Sequence, residues 1–284
     1  MVLQRLDYLV SKQLNISRSI ATKLVKEGKV KVKGVLKQKP SQKISEDAEL
    51  AVQYNESSSS VTRLDIEIIY EDQDCIVINK PAGILVHSKG AFNIESTVAS
   101  WLLDKTKGFD DNNRAGIVHR LDRSTSGVMI CAKNPESLKF FQKQFSARKV
   151  KKVYAALIEG NISPKQAVID IPIERNAKDP KRFKASSSGK PALTSYKVIK
   201  SFNYDNDEYT LMELMPKTGR THQLRVHLAY MKHPIIGDDF YKGIDADRLY
   251  LHATSLEITL TNTERKVFTS ELPKEFYKPK ATKT

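Results

Sequence analysis

A chain of 284 residues, 40% of them hydrophobic, can bury a sizeable core, and its length suits one large domain with a small one beside it. The formal net charge of +14 points to a polyanionic partner, nucleic acid being the commonest, although a basic surface kept for solubility has the same composition and charge alone does not separate RNA from DNA. No apolar run approaches the roughly 18 residues a bilayer crossing needs, and the opening MVLQRLDYLVSKQL is amphipathic without a signal peptide's apolar stretch, so no membrane partner and a cytoplasmic location are expected.

Leu3, Leu6, Leu9 and Val10 fall at helical spacing. Ser17 stands where it can cap a second helix with apolar positions Ile20, Leu24 and Val25, which Gly28 ends. The alternation of Val with Lys in KVKVKGVLKQKPSQKI predicts a small hairpin about Lys33-Gly34, one face in a core and a row of lysines in water. YNESSSSVTR has no periodicity and reads as a linker, which gives a small domain over 1–54, a linker over 55–63 and a second domain from Leu64.

In that domain LDIEIIYEDQDCIVINKPAGILVH predicts two strands joined by an acidic turn, the second broken at Pro81-Ala82-Gly83. AGIVHRLD and SGVMICAK read as buried strands on either side of a polar loop, with Gly127 available for a backbone conformation other residues resist. NPESLKFFQKQFSARKV predicts a helix; KVYAALIEG, TSYKVIKSF and YTLMELMP predict strands. Runs of strands with few helices argue for an α+β fold built on a mostly antiparallel mixed sheet rather than a doubly wound parallel one. The domain extends to about residue 276, and the tail YKPKATKT is expected to be disordered.

Cys75 and Cys131 sit in apolar strands and read as small buried side chains, with neither a disulfide framework nor a cysteine metal site. His222, His227, His233 and His252 cluster in sequence but do not set ligands on one helical face, so no metal site is expected. His87 and His119 flank the apolar strands and are expected to hydrogen-bond neighbouring loops.

Asp122 lies in the polar loop between two arginines. It has two readings on the pattern alone: a carboxylate that caps the Ser124-Thr125-Ser126 turn, or a nucleophile or base in an electropositive cleft. The segment HRLDRSTSG around it resembles the signature of the RluA-type pseudouridine synthases. Three further stretches fall in that family's order: DCIVINKPAGILVH, KKVYAALIEG and TGRTHQLRVHLAYMKHPIIGD. The resemblance covers roughly Leu64 to Phe276, and NAKDPKRFKASSSGKP matches only loosely. SRSIATKLVKEGKVKVKG, upstream, resembles the small RNA-binding domain shared by the fourth small-subunit ribosomal protein and many RNA-modifying enzymes. That second resemblance implies a basic face of Arg18, Lys23, Lys26, Lys29 and Lys31 toward RNA phosphates, against the alternative of a solvated charge face.

The family resemblance implies that a uridine in RNA is isomerised: its N-glycosidic bond is cut, the uracil turns, and a ring carbon rejoins the ribose. Neither a metal nor an organic cofactor is implied, and the protein is expected to act as a monomer. Asp122 is implied as the essential carboxylate, as nucleophile at the ribose or as the base forming a glycal. Tyr154 would stack on the extruded uracil and take the proton from the new carbon link. Arg225 would ion-pair with the aspartate, against the plain reading of a strand-surface arginine. Arg120 would enter the helix stack where the target has left, and Leu224 would pack against the base. Large-subunit ribosomal RNA is the expected substrate, with transfer RNA as the alternative. A non-catalytic RNA-binding protein would have been free to lose Asp122, Tyr154 and Arg225, and an N-glycoside hydrolase would call for a second carboxylate that these motifs lack.

Overall fold

A computed structural model of the chain describes residues 3–14, 18–54, 64–87, 95–109 and 116–282. They belong to two units, one of Met1–Arg63 with Ser88–Ser96 and one of Leu64–His87 with Thr97–Thr284. The expected linker over 55–63 and the capping Ser17 lie outside the described residues, as does the side chain of Ile20.

The first unit runs β1 (Leu3–Arg5), α1 (Leu6–Gln13), α2 (Arg18–Lys26), β2 (Val30–Val32), β3 (Val35–Leu36), β4 (Lys43–Ser45) and β5 (Leu50–Val52). Leu6, Leu9 and Val10 of α1 meet Leu24 and Val25 of α2 over Val30, Val32 and Ile44. Leu3 does not join them: it is 57% exposed, because its segment is drawn out to pair with β4 before the helix begins. Gly28 ends α2 in the left-handed region (φ 72°), where the Lys29 amide can donate to the Leu24 carbonyl. Lys33 (φ 46°) and Gly34 (φ 78°) make the tight turn between β2 and β3. Lys31 points to water between the buried Val30 and Val32.

The second unit opens with β6 (Glu67–Glu71) and β7 (Cys75–Lys80), then α3 (Val98–Leu102), β8 (Ser126–Ala132), α4 (Pro135–Ser146) and β9 (Lys151–Glu159). β10 (Gln166–Asp170) leads to a hairpin of β11 (Ile173–Arg175) and β12 (Phe183–Ala185), formed by the loosely matching NAKDPKRFKASSSGKP and its flanks. The long β13 (Leu193–Tyr204) and β14 (Asp207–Pro216) precede α5 (Gln223–Tyr230), β15 (Asp245–Ala246), β16 (Leu251–Thr259), β17 (Arg265–Thr269) and β18 (Ala281–Thr282). The main sheet has the order β10-β13-β14-β9-β16-β8-β7-β6, with β17 on the far half of β16. Every pairing in it is antiparallel except β16 with β8.

The apolar runs Cys75–Ile78 of β7 and Val128–Ala132 of β8 reflect a sheet covered on both faces. Ile76, Ile78, Met129 and Cys131 face α3, whereas Cys75, Val77, Val128 and Ile130 face Phe141 of α4. The two cysteines are therefore buried on opposite faces, and burial raises both thiols above their ordinary range. AGIVHRLD, read as a strand, is not one. Its backbone meets the sheet at the Ile117–Cys131 bridge and where the Ala132 amide bonds the Gly116 carbonyl, and the chain then leaves to form the loop that carries Asp122. The tail is also ordered further than expected. Phe276 is buried, the Lys280 amide donates to the Tyr250 hydroxyl, and β18 pairs with β15.

Candidate active site

Asp122 follows the buried Leu121 at the point where the chain turns back into β8. The turn is closed by the backbone, the Thr125 amide donating to the Asp122 carbonyl at 3.1 Å. Its carboxylate accepts no hydrogen bond from any described residue, so the turn-capping reading does not hold. The loop is clamped instead from the NKPAG segment: the Gly83 amide and the Lys80 ammonium both donate to the Arg123 carbonyl, and Arg123 Nε donates to the Gly83 carbonyl. Lys80 is fully buried and also bonds the Pro81 and Ile84 carbonyls, at 2.7 and 2.8 Å. Burial draws its pKa down to about 7 against the pull of Asp122. Where β8 begins, Gly127 (φ 111°) lies so close to β16 that a Cβ would sit 2.2 Å from the Ala253 carbonyl oxygen.

The segment TGRTHQLRVH approaches Asp122 from the other side. His222 takes a left-handed conformation (φ 56°, ψ 20°) immediately ahead of α5, an uncommon geometry that histidine tolerates better than most residues. Gln223 locks the approach, accepting from the Thr218 hydroxyl and the Arg220 amide and donating to the Leu193 carbonyl and the Thr194 hydroxyl. Arg225, 5% exposed, is no strand-surface residue. Its bidentate pair is with Asp238, however, through Nε at 2.8 Å and Nη2 at 2.6 Å, and only Nη1 turns toward Asp122, at 3.6 Å from Oδ2. Burial alone would lower the Arg225 pKa, but the bonds and charge of Asp238, with the charge of Asp122, raise it. A second nitrogen, His222 Nε2, lies 3.8 Å from the same Asp122 oxygen.

Tyr154 stands on β9 between Leu214 of β14 and Ala253 of β16. Burial and the charge of Asp122 push its hydroxyl pKa up, which keeps the phenol neutral. Lys152, two residues earlier on the same face of the strand, donates to the Thr218 carbonyl at 3.4 Å, and burial draws it down to about 8.

Asp122, Lys152, Tyr154, His222 and Arg225 line a cleft of about 520 Å³ that also holds Arg120, Leu224 and Leu251. Arg120 is exposed there and Leu224 buried. Arg120, Arg148, Lys152, Lys217, Arg220 and Arg225 give the wall positive charge, and Asp122 is the single carboxylate among the described lining residues. The two-carboxylate arrangement of a glycoside hydrolase is not assembled there.

The structure thus brings together Asp122, Tyr154, Arg225, Arg120 and Leu224. Sequence reasoning missed Lys80, Lys152, Asp238, His222 and Tyr241. Lys80 had a signal, since alternation from Ile76 and Ile78 turns it into the core; Asp238 and Tyr241 had none beyond the polar break after HPIIG. The remaining histidines are tied apart from one another. His227 bonds Thr194 and the Ile171 carbonyl, and His252 bonds Ser126 and Ser270. His119 accepts from the Ile130 amide of β8, not from a loop, and stacks on Phe145 at 4.4 Å.

In the first unit the five basic residues have unlike surroundings. Arg18 reaches the buried Asp7 at 3.3 Å, alongside Arg5, whose hydrogen bonds hold that carboxyl well below its usual range. Lys23 and Lys29 share Glu27, at 3.4 and 3.2 Å, and Lys26 and Lys31 are exposed.

Residues 74–230 match the family described as RNA pseudouridylate synthase, and residues 4–50 match the S4 domain. A ribosomal large subunit pseudouridine synthase D of Borreliella burgdorferi is 41% identical over 256 residues, covering 85% of this chain and 77% of the relative. A protein of the same name from Vibrio cholerae is 36% identical, covering 89% and 83%. Among solved structures, human RNA pseudouridylate synthase domain containing 1 superimposes with a TM-score of 0.64 at 28% identity, over 78% of this chain and 91% of that one. Among the described residues no helix is long and apolar enough to cross a membrane.

Proposed function

The chain belongs to the RNA pseudouridylate synthase family, and on that premise we propose that it isomerises uridines of large-subunit ribosomal RNA with Asp122 as the reactive carboxylate. The observation that carries the role of Asp122 is a carboxylate that accepts no hydrogen bond from any described residue, in a cleft whose other charged lining residues, among those described, are cationic. Its lone pairs are left for the ribose. Attack at the anomeric carbon and removal of the neighbouring ribose proton ask the same of the protein: a charged, fixed carboxylate and a dry surround.

The flipped uracil lies against the Tyr154 ring with Leu224 and Leu251 beside it, and Arg120 occupies the vacated stack. The cationic walls take the backbone phosphates, and the lysines of the S4 domain add a second, sequence-independent hold. The ribosomal assignment is supported by the names of the relatives in Borreliella burgdorferi and Vibrio cholerae. Mapping pseudouridines in cells with and without the protein tests it. Sites lost from large-subunit ribosomal RNA are the expected result; sites lost only from transfer RNA would replace the substrate and leave the chemistry.

A further inference from the structure

Asp122 faces two nitrogen atoms that leave it just outside hydrogen-bond range, Arg225 Nη1 at 3.6 Å and His222 Nε2 at 3.8 Å. A guanidinium nitrogen always carries protons. An imidazole nitrogen donates or accepts according to its tautomer, and what the other ring nitrogen meets decides which.

The other nitrogen, His222 Nδ1, lies 2.9 Å from the Tyr241 hydroxyl. That hydroxyl also accepts the backbone amide of Phe183, at 2.9 Å. A backbone amide can only donate, so the phenol oxygen is the acceptor there. Among its described partners, only His222 Nδ1 is left to receive the phenol proton. The chain of bonds then has one direction, Phe183 N–H to Tyr241 Oη and Tyr241 O–H to His222 Nδ1, which puts the imidazole proton on Nε2, facing Asp122. The opposite tautomer would aim a lone pair at the Asp122 carboxylate and leave the phenol proton without a described acceptor.

The parts of this chain are fixed independently. The His222 ring has the Phe183, Phe240 and Tyr241 rings around it, with centroids 5.7, 5.6 and 5.7 Å away. Asp238 accepts from the Phe240 and Tyr241 amides with the same oxygen that binds Arg225 Nη2. One buried carboxylate therefore sets both arms that face Asp122, and the far end of the chain lies in the β11–β12 hairpin.

We propose that His222 is a positioning residue for Asp122, held by Tyr241 as the tautomer protonated at Nε2. The proposal rests on the reading of Asp122 as the reactive carboxylate. The imidazole N–H and Arg225 together restrain the carboxylate while it engages the ribose.

Long-range proton–nitrogen spectra of the full chain with labelled histidine report the tautomer without any RNA, the His222 signals being those lost in His222→Asn. The expected spectrum shows a proton on Nε2 and none on Nδ1; a proton on Nδ1 would overturn the proposal. Tyr241→Phe removes the hydroxyl and keeps the ring. It should mix the two tautomers and slow single-turnover conversion by about tenfold or more, with RNA affinity within about twofold. In a His222→Asn background, which tolerates the left-handed backbone, Tyr241→Phe should add no further loss, as two residues acting through one contact do. An additive loss, or a tautomer change with an unchanged rate, would give Tyr241 a structural role only and sink the proposal. An inactive wild type on ribosomal RNA would count against the substrate assignment and leave the tautomer measurement standing.

Discussion

Arg225 gives two of its three guanidinium nitrogens to Asp238 and turns the third toward Asp122, so one buried cation joins a fully buried carboxylate to one that opens on the cleft. The division assigns different work to two aspartates that sequence alone does not rank. Asp238 fixes the arginine; Asp122 accepts no hydrogen bond from a described residue.

Asp238→Asn should therefore disturb folding as well as chemistry. It takes away the bidentate partner of the buried Arg225 charge and leaves only the more distant Asp122 to balance it, and breaking a buried pair costs on the order of 3 to 5 kcal/mol. Urea unfolding should show that loss, with turnover falling as Arg225 leaves its place. Arg225→Lys is milder in charge but not in geometry, since one nitrogen cannot span both carboxylates. Turnover should fall much more than RNA affinity, and equal losses in both would mark an arginine that serves phosphate binding.

Asp122→Asn should behave in the opposite way. The carboxylate accepts no hydrogen bond from a described residue, so its replacement breaks none, and stability should change by less than about 1 kcal/mol. Pseudouridine formation should vanish while RNA binding stays nearly normal. Turnover retained by the purified variant would end the proposed role.

Much of this arrangement could be read in the residues, and the limits have physical causes. β8 was legible because a strand covered on both faces is apolar throughout, and the demand for Gly127 was legible because a polar bend re-enters a sheet there. AGIVHRLD misled for the same reason that β8 did not: Ile117, Val118 and Leu121 are buried against the sheet with a single bridge, Ile117–Cys131, in place of a ladder, and burial alone looks the same in sequence as a strand. Asp238 and Tyr241 stayed hidden because their meaning lies in partners 13 and 19 residues away, Arg225 and His222, and a single chain does not announce its pairs. Leu3 fitted helical spacing, but the pull of β4 on its backbone outweighed that pattern.

His252 gives a pH dependence away from the cleft. It is 1% exposed between Ser126 and Ser270, and burial, with the charge of Arg248, draws its pKa down to about 4. Between the ordinary histidine value near 6.5 and about 4 the unfolded chain binds a proton that the folded one refuses. Its contribution is thus intact above about pH 6.5 and is lost as the pH falls toward 4, at up to about 1.4 kcal/mol per pH unit. Denaturant titrations at several pH values should show a shallower acid slope for His252→Gln than for the wild type. An identical slope would place the acid sensitivity in other groups.

Tyr154 separates stacking from proton transfer. Its ring lies in the cleft wall, and its hydroxyl, with a pKa pushed up by burial and by Asp122, is a neutral phenol, so it can take a proton from carbon only as it passes its own on to a base. Tyr154→Phe keeps the face on which a flipped uracil would stack, a contact worth on the order of 1 to 3 kcal/mol by analogy with base–aromatic stacking. It removes the oxygen that would take the proton from the new carbon link. Target RNA should therefore bind almost normally and turn over very slowly. Tyr154→Leu removes ring and hydroxyl together and should lose affinity as well. Single-turnover rates and binding constants for both variants, measured on one RNA carrying the mapped uridine, keep the two contributions apart. A Phe variant as active as the wild type would leave stacking as the whole role of Tyr154. An active Leu variant would reduce it to packing between Leu214 and Ala253.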